Sequence, residues 1–261
     1  MKYIPLDINL LKTSLSNKIV GRNILYYDIL SSTMNKAKLI AKNNESEGYV
    51  IIAENQTKGR GRFNRNWISA PGENISLSII LKPTLQQLAY INMAATLSVY
   101  EVIKNYTNMN PTIKWPNDVK LNQKKISGIL IESEMNSNKL NYAILGIGIN
   151  INFNPMKHLE ISSIATSLYK ETGKIIDRTA FLITFLNIFN NYYIKIKNQE
   201  FLTKEWSSKI ETIGKNVEIS SNGELIKGKA IQVTENGDLI IEFSNNIRKK
   251  ITAGEVTLES N

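Results

Sequence analysis

Apolar positions change spacing several times along the chain, and each change marks an element. The run from Ile24 to Ser31 is dense in β-formers and predicts a strand, after which Ser31, Ser32 and Thr33 offer hydroxyls to cap a helix over about residues 33–43. Tyr49–Glu54 predicts a second strand. Between Gln56 and Gly72 no hydrophobic period survives, only a polar stretch rich in glycine and arginine, and so long a loop usually has a function. Asn74–Lys82 then alternates as a half-buried strand. After Pro83, apolar residues at Leu88, Ile91, Ala95, Val99, Val102 and Ile103 keep helical spacing and predict a helix over about residues 86–105.

Three short strands follow at Thr112–Lys114, Val119–Leu121 and Ile126–Glu132, the last two joined by a turn at Asn122-Gln123-Lys124. Tyr142–Asn152 is a further strand whose glycines suggest close approach of a ligand or neighbour to the backbone. Asp177 is placed to cap a long helix over residues 178–198, and the stripe Phe181, Phe185, Phe189, Tyr192, Ile196 lies on one face of it as core. Beyond Gly214 the pattern turns to short strands separated by Ser221–Glu224, Glu235–Asp238 and Ser244–Asn246, which predicts a small β-barrel. The expected fold is therefore α+β, a mixed sheet flanked by helices over residues 1–213 and a β-domain over residues 214–261. With no Pro/Ser-rich linker at the junction, the two are expected to dock closely.

Composition narrows the classes without choosing among them. At 261 residues, with 42% hydrophobic and 21% charged residues, the chain has the make-up of a globular protein, not of a disordered or fibrous one. No run of about 18 uncharged apolar residues and no signal-peptide pattern is present, so no membrane association and a cytoplasmic location are expected. The absence of cysteine removes thiol catalysis and cysteine metal sites, and the single His158 cannot build a histidine cluster, so no metal-ligand set is assigned. Thirty-two Lys+Arg against 23 Asp+Glu give a formal +9, in keeping with a polyanionic ligand such as ATP, with nucleic acid, or with a solvated surface. The lysines are scattered, as at Lys36, Lys38, Lys42, Lys104, Lys195 and Lys197, with no basic block.

Two segments carry chemistry. In Gly59–Trp67 (GRGRFNRNW), glycines let the backbone approach a ligand, three arginines present forked donors for phosphate or carboxylate, and Trp67 adds a flat face for a base. By composition alone the same segment reads equally as an Arg/Gly-rich RNA-binding stretch or a solvated loop. In Lys114–Asp118 (KWPND), followed by Lys124–Gly128 (KKISG), amide, carboxylate and ammonium groups fall within one hairpin suited to phosphate and Mg²⁺. Taken singly, Pro116-Asn117-Asp118 is an ordinary turn.

GRGRFNRNW, KWPND, KKISGILIE and GIGIN, in this order and at these separations, resemble the signature of biotin protein ligases, from about Ile24 to the end of the chain. The resemblance implies a class II synthetase-like biotin/lipoate ligase fold with an SH3-like C-terminal barrel. It implies an enzyme that uses Mg²⁺ and ATP to convert biotin to biotinyl-5'-AMP, then transfers biotin to a lysine of a biotin carboxyl carrier protein or domain. Family members that double as repressors carry an N-terminal helix-turn-helix domain; only about 23 residues precede the first predicted strand here, so DNA binding is not expected. A homodimer is compatible with the family.

Carried over by motif, the biotin site comprises Ser32, Thr33, Met34, Gln56, Gly59, Arg60, Gly61, Arg62, Lys125, Gly128 and Gly148. The nucleotide site comprises Arg60, Arg62, Arg65, Trp67, Asn117, Lys125 and Asn150. Arg62, Lys125 and Asp118 are the expected catalytic residues. The two cations stabilise charge on the phosphoryl oxygens, and Asp118 either handles the proton of the acceptor lysine or holds only Mg²⁺ and the turn. No protein nucleophile is needed. The chain departs from the family at Asn64, where the frame GRGRxGRxW has glycine; Asn tolerates positive φ better than most residues, so the turn is expected to survive. The alternatives to a biotin ligase are a lipoate or octanoate ligase of the same fold and a basic nucleic-acid-binding module.

Overall fold

The computed structural model describes residues 4–42, 47–137, 139–221 and 223–258, with the side chain of Asn64 and the predicted turn position Asn222 outside the described set. Seven strands form the first sheet: β1 (Asn23–Leu30), β2 (Tyr49–Gln56), β3 (Asn74–Leu81), β4 (Thr112–Lys114), β5 (Asp118–Leu121), β6 (Lys124–Asn136) and β7 (Lys139–Asn150). Their order is β1-β2-β3-β7-β6-β5-β4. β1 and β2 run parallel, joined by α2 (Thr33–Ala41), and the other ladders are antiparallel, so the sheet is mixed as expected. The helix expected to reach Asn43 is described as far as Ala41.

Helix α2 covers one face, where Met34, Ala37 and Ala41 pack with Ile51, Ile80, Tyr142 and Ile144. The opposite face carries α3 (Leu88–Thr107) and α5 (Arg178–Lys197), which pack on each other and share the larger core. All five residues of the predicted aromatic stripe on α5 are buried, and the Asp177 carboxylate accepts from Thr179 N and Ala180 N. Three helices had no counterpart in the sequence reading: α1 (Ile8–Leu15), α4 (Leu168–Thr172) and α6 (Thr203–Ser207). Each is too short for a period to emerge. α1 buries only Leu11 and Leu15 and depends on docking against α5, where Asp7 N donates to Thr179 Oγ1 at 3.0 Å.

The second sheet contains β8 (Asn216–Ser221), β9 (Glu224–Val233), β10 (Leu239–Glu242), β11 (Arg248–Ile251) and β12 (Glu255–Leu258), in the order β11-β10-β9-β8-β12. All its ladders are antiparallel. No ladder joins β11 to β12 among the described residues, so the expected barrel is an open five-stranded sheet. One hydrophobic cluster spans both sheets, and the buried Trp115 indole donates to Gly237 O at 2.8 Å across the junction. Among the described residues no helix is long and apolar enough to cross a membrane.

Candidate active site

A cavity of about 560 Å³ opens over the α2 face, between the Arg/Gly loop and the start of β12. Its floor follows from strand register. Lys114 lies opposite Asp118, Asp118 opposite Gly128, Gly128 opposite Gly148, and Gly148 opposite Ser76, one row crossing β4, β5, β6, β7 and β3. Directly paired residues share a face, so the row has charged groups at one end and bare backbone in its middle. The Trp67 indole fills that bare stretch. A Cβ at Gly148 would stand 2.2 Å from the ring, and one at Gly128 would stand 3.3 Å from it, so the glycines set the depth of the floor. Two residues along β7, Gly146 accommodates Met34 in the same way, with Sδ 2.5 Å from an added Cβ.

At the α2 end the polar groups are organised around Thr33. Ser32 occupies the N-cap position, but its hydroxyl does not cap the helix; it is buried without a hydrogen-bond partner among the described residues and lines the cavity. Gln56 Oε1 instead accepts from Thr33 N at 2.8 Å and from Thr33 Oγ1 at 3.1 Å, and Ser78 Oγ donates to Thr33 Oγ1 at 2.8 Å.

At the other end Lys125 is held twice. Its backbone is bonded on both sides by a passing segment, Lys125 N to Ile164 O and Thr166 N to Lys125 O, each 2.8 Å. Its ammonium stands 2.7 Å from Asp118 Oδ1 and 6.0 Å from the Trp67 ring centroid. Asn150, expected at the nucleotide, has its amide engaged by the protein: Oδ1 accepts from Asn74 Nδ2 at 2.8 Å and Nδ2 donates to Thr166 O at 2.9 Å. It lines the wall while fixing the segment that holds Lys125.

The Arg/Gly loop is a built turn. Trp67 N donates to Gly59 O at 3.0 Å, Gly61 N to Arg65 O at 2.7 Å, and Arg65 N to Arg62 O at 3.1 Å. Gly59 sits at the foot of the turn and outside the cavity wall, where a Cβ would meet the Trp67 carbonyl oxygen at 2.4 Å. The left-handed residue described in this turn is Phe63, with φ 54° and ψ 38°, at a cost of about 1–2 kcal/mol for a residue with a side chain. Arg62 donates to Asn117 Oδ1 at 2.8 Å and to Gly254 O at 3.1 Å, while Arg65 pairs with Glu255 at 2.5 Å. Arg60 turns to Glu132 at 3.1 Å at the cavity mouth. Below the loop, the buried pair Arg178–Glu54 (2.8 Å) anchors its far foot, since Glu54 also accepts from Gly72 N.

Burial lowers the proton affinity of Arg62, opposed by the nearby carboxylates of Asp118 and Glu255. Burial does the same to Lys114, again opposed first by Asp118. The structure thus gathers Ser32, Thr33, Met34, Gln56, Arg60, Gly61, Arg62, Arg65, Trp67, Asn117, Asp118, Lys125, Gly128, Gly148 and Asn150 on one cavity and leaves only Gly59 outside its lining. Lining residues missed by the sequence reading include Gly146, Ile164 and Glu255. The GIGIN repeat was a signal for Gly146, whereas nothing in the sequence links Glu255 to Arg65, 190 positions away. The arrangement suits a ligand with a polar ring at one end, a carboxylate and phosphate in the middle, and further negative charge toward β4.

Residues 26–150 match the model of the biotin/lipoate A/B protein ligase family. The chain is 34% identical to the Bacillus subtilis bifunctional ligase/repressor BirA, over 95% of this chain and 78% of that protein. It is 27% identical to the Mycobacterium tuberculosis biotin--[acetyl-CoA-carboxylase] ligase, over 97% and 95% of the two chains. Among solved structures, the Aquifex aeolicus biotin protein ligase in complex with biotin and ATP superposes with a TM-score of 0.77 at 32% identity, covering 92% of this chain and 100% of that one.

Proposed function

The chain belongs to the biotin/lipoate A/B protein ligase family, among its biotin protein ligases, and from that membership we propose how its residues carry an ATP-dependent ligation of biotin to protein. In the first step a biotin carboxylate oxygen attacks the α-phosphorus of ATP and pyrophosphate leaves, forming biotinyl-5'-AMP. In the second, the amine of an acceptor lysine, on the carrier protein or domain of a carboxylase, attacks the activated carbonyl and AMP leaves. A cytoplasmic enzyme fits this reading.

The observation that carries the assignment of roles is the continuity of the cavity from Thr33 to Asp118. The ureido ring of biotin needs hydrogen-bonding partners, and Ser32, Thr33 and Gln56 supply them at one end, with Met34 against the apolar part of the ligand. An octanoyl chain, or a lipoyl chain ending in an apolar dithiolane ring, has no use for that polar end. Lys125 and Arg62 meet the biotin carboxylate and the α-phosphate, where charge develops during attack. Trp67, on the glycine floor, offers a face to the adenine.

Magnesium enters with ATP. Among the described residues no three His, Asp or Glu side chains gather as a dedicated site. Mg²⁺ commonly needs only one or two protein carboxylates beside substrate phosphates, and Asp118 at the charged end of the row fits that need. When bound it neutralises phosphate charge. Asp118, already 2.7 Å from Lys125, orients that ammonium and the incoming amine.

The test is pyrophosphate release with Mg·ATP and biotin, beside lipoate and octanoate, followed by addition of a carrier domain. Release with biotin alone and mass gain on the acceptor lysine are expected; release with lipoate or octanoate in its place overturns the assignment.

A further inference from the structure

Lys114, the lysine that opens KWPND, is not among the residues assigned to biotin, the α-phosphate or the adenine. Three lysines of the β4–β6 strands line the charged end of the cavity. Lys120 is engaged by the buried Glu211 at 2.7 Å, and Lys125 by Asp118 at 2.7 Å. The half-buried side chain of Lys114 makes no hydrogen bond or ion pair with any described residue, although Lys114 lies directly across from Asp118 on the edge strand. Arg62 is in a similar position, since its partners are the neutral oxygens of Asn117 and Gly254. Burial disfavours the charged form of both. Asp118 and Glu255 offset that burial only from a distance, and two partly dehydrated cations with no carboxylate within ion-pair reach, facing one cavity, are further stabilised by a polyanion.

Their order along the floor identifies which part of the polyanion each meets. Lys125 Nζ stands directly over Gly128 on β6, 3.0 Å from where a Cβ would be. Lys114 belongs to β4, two strands further out. At about 4.8 Å per strand this is roughly 10 Å, which a lysine side chain and a polyphosphate bridge together. With the α-phosphate at Lys125, the rest of the triphosphate extends toward β4.

We propose that Lys114 binds the β- and γ-phosphates of ATP and holds pyrophosphate as it leaves, and that it takes no part in the acyl transfer that follows. The proposal rests on the ligase reading. In the step concerned, a biotin carboxylate oxygen bonds to the α-phosphorus and the bond from that phosphorus to the bridging oxygen breaks. Pyrophosphate departs with the electron pair, and the ammonium of Lys114 meets the charge it gains.

The experiment separates the half-reactions in the 261-residue chain. Lys114→Met and Lys114→Gln are compared with the parent in biotin-dependent ATP–pyrophosphate exchange, and then in transfer from preformed biotinyl-5'-AMP to a carrier domain. Expected is a rise of about 10- to 100-fold in the ATP and pyrophosphate concentrations needed for half-maximal exchange, the range of a charge-assisted hydrogen bond. Transfer from preformed adenylate stays within about twofold, and Lys114→Arg recovers most of the exchange. Equal losses in both half-reactions, or exchange unchanged in both variants, overturn the proposal. A parent enzyme with no biotin-dependent exchange overturns instead the ligase reading on which it stands.

Discussion

The two ends of the cavity satisfy their polar groups differently. Around Thr33 the protein largely completes itself: Gln56, Thr33 and Ser78 bond to one another, and among the described residues the hydroxyls left over are Ser32 Oγ and, at the end of the floor row, Ser76 Oγ. Around Lys114 and Arg62 it does not, since both cations face the cavity without a carboxylate within ion-pair distance. The first end is a preformed recognition surface whose geometry exists before any ligand arrives. The second, on the reading proposed above for Lys114, is an electrostatic environment that phosphate charge completes. Substitutions at the first should therefore change affinity for biotin, and substitutions at the second should change the chemistry on ATP.

The largest effect is expected at Lys125, which stands between the two ends. Lys125→Met removes the ammonium from the α-phosphate and leaves Asp118 without its partner. Losing one preorganised charge-stabilising donor commonly costs about 10²–10³ in rate. Biotin-dependent pyrophosphate release should fall by that much, while biotin binding, followed by calorimetry without ATP, weakens only a few-fold. A comparable loss of biotin affinity would erase the distinction between the ends.

Thr33→Val is the counterpart at the preformed end. Valine keeps the branched shape but leaves Ser78 Oγ, fully buried, without the acceptor it now has, and removes one of two donors to Gln56 Oε1. An unsatisfied buried hydroxyl costs about 1–3 kcal/mol, so the KM for biotin should rise about tenfold or somewhat more. The KM for ATP should be unmoved; a parallel rise in both would mean that the Thr33 cluster supports the whole floor and not one ligand.

How much of this the sequence disclosed depends on how far apart the partners lie. The strands β1 to β7, the long helices and the Arg/Gly loop were legible because their signals are local: alternation, helical period, a cap, a run without period. The lining residues came from motifs, each of which is also local. Lost were the arrangements that only topology creates. The row Lys114–Asp118–Gly128–Gly148–Ser76 depends on register across five strands, which no local pattern encodes. The buried pair Glu54–Arg178 joins residues 124 positions apart. Asn150 was legible as a cavity residue but not as the support of the 164–166 segment, because its partners Asn74 and Thr166 lie on other elements.

The smallest effect tests whether the second sheet contributes to the charged end. Arg65 and Glu255 pair at 2.5 Å, with side chains 65% and 36% exposed, and this contact and the Arg62–Gly254 bond tie the loop to the C-terminal sheet. Exposed ion pairs contribute about 0–1 kcal/mol, so Glu255→Gln should leave pyrophosphate release within about threefold of the parent. What should change is containment. If the pair helps keep the loop closed over biotinyl-5'-AMP, the variant will release adenylate into solution a few-fold faster in the absence of acceptor, and more so in the parent as salt is raised than in the variant, because only the parent has the pair to screen. Adenylate release identical in the two proteins at every ionic strength would assign closure to Arg62 alone, with its bonds to the neutral oxygens of Asn117 and Gly254, and would remove the exposed charge from the working parts of the site.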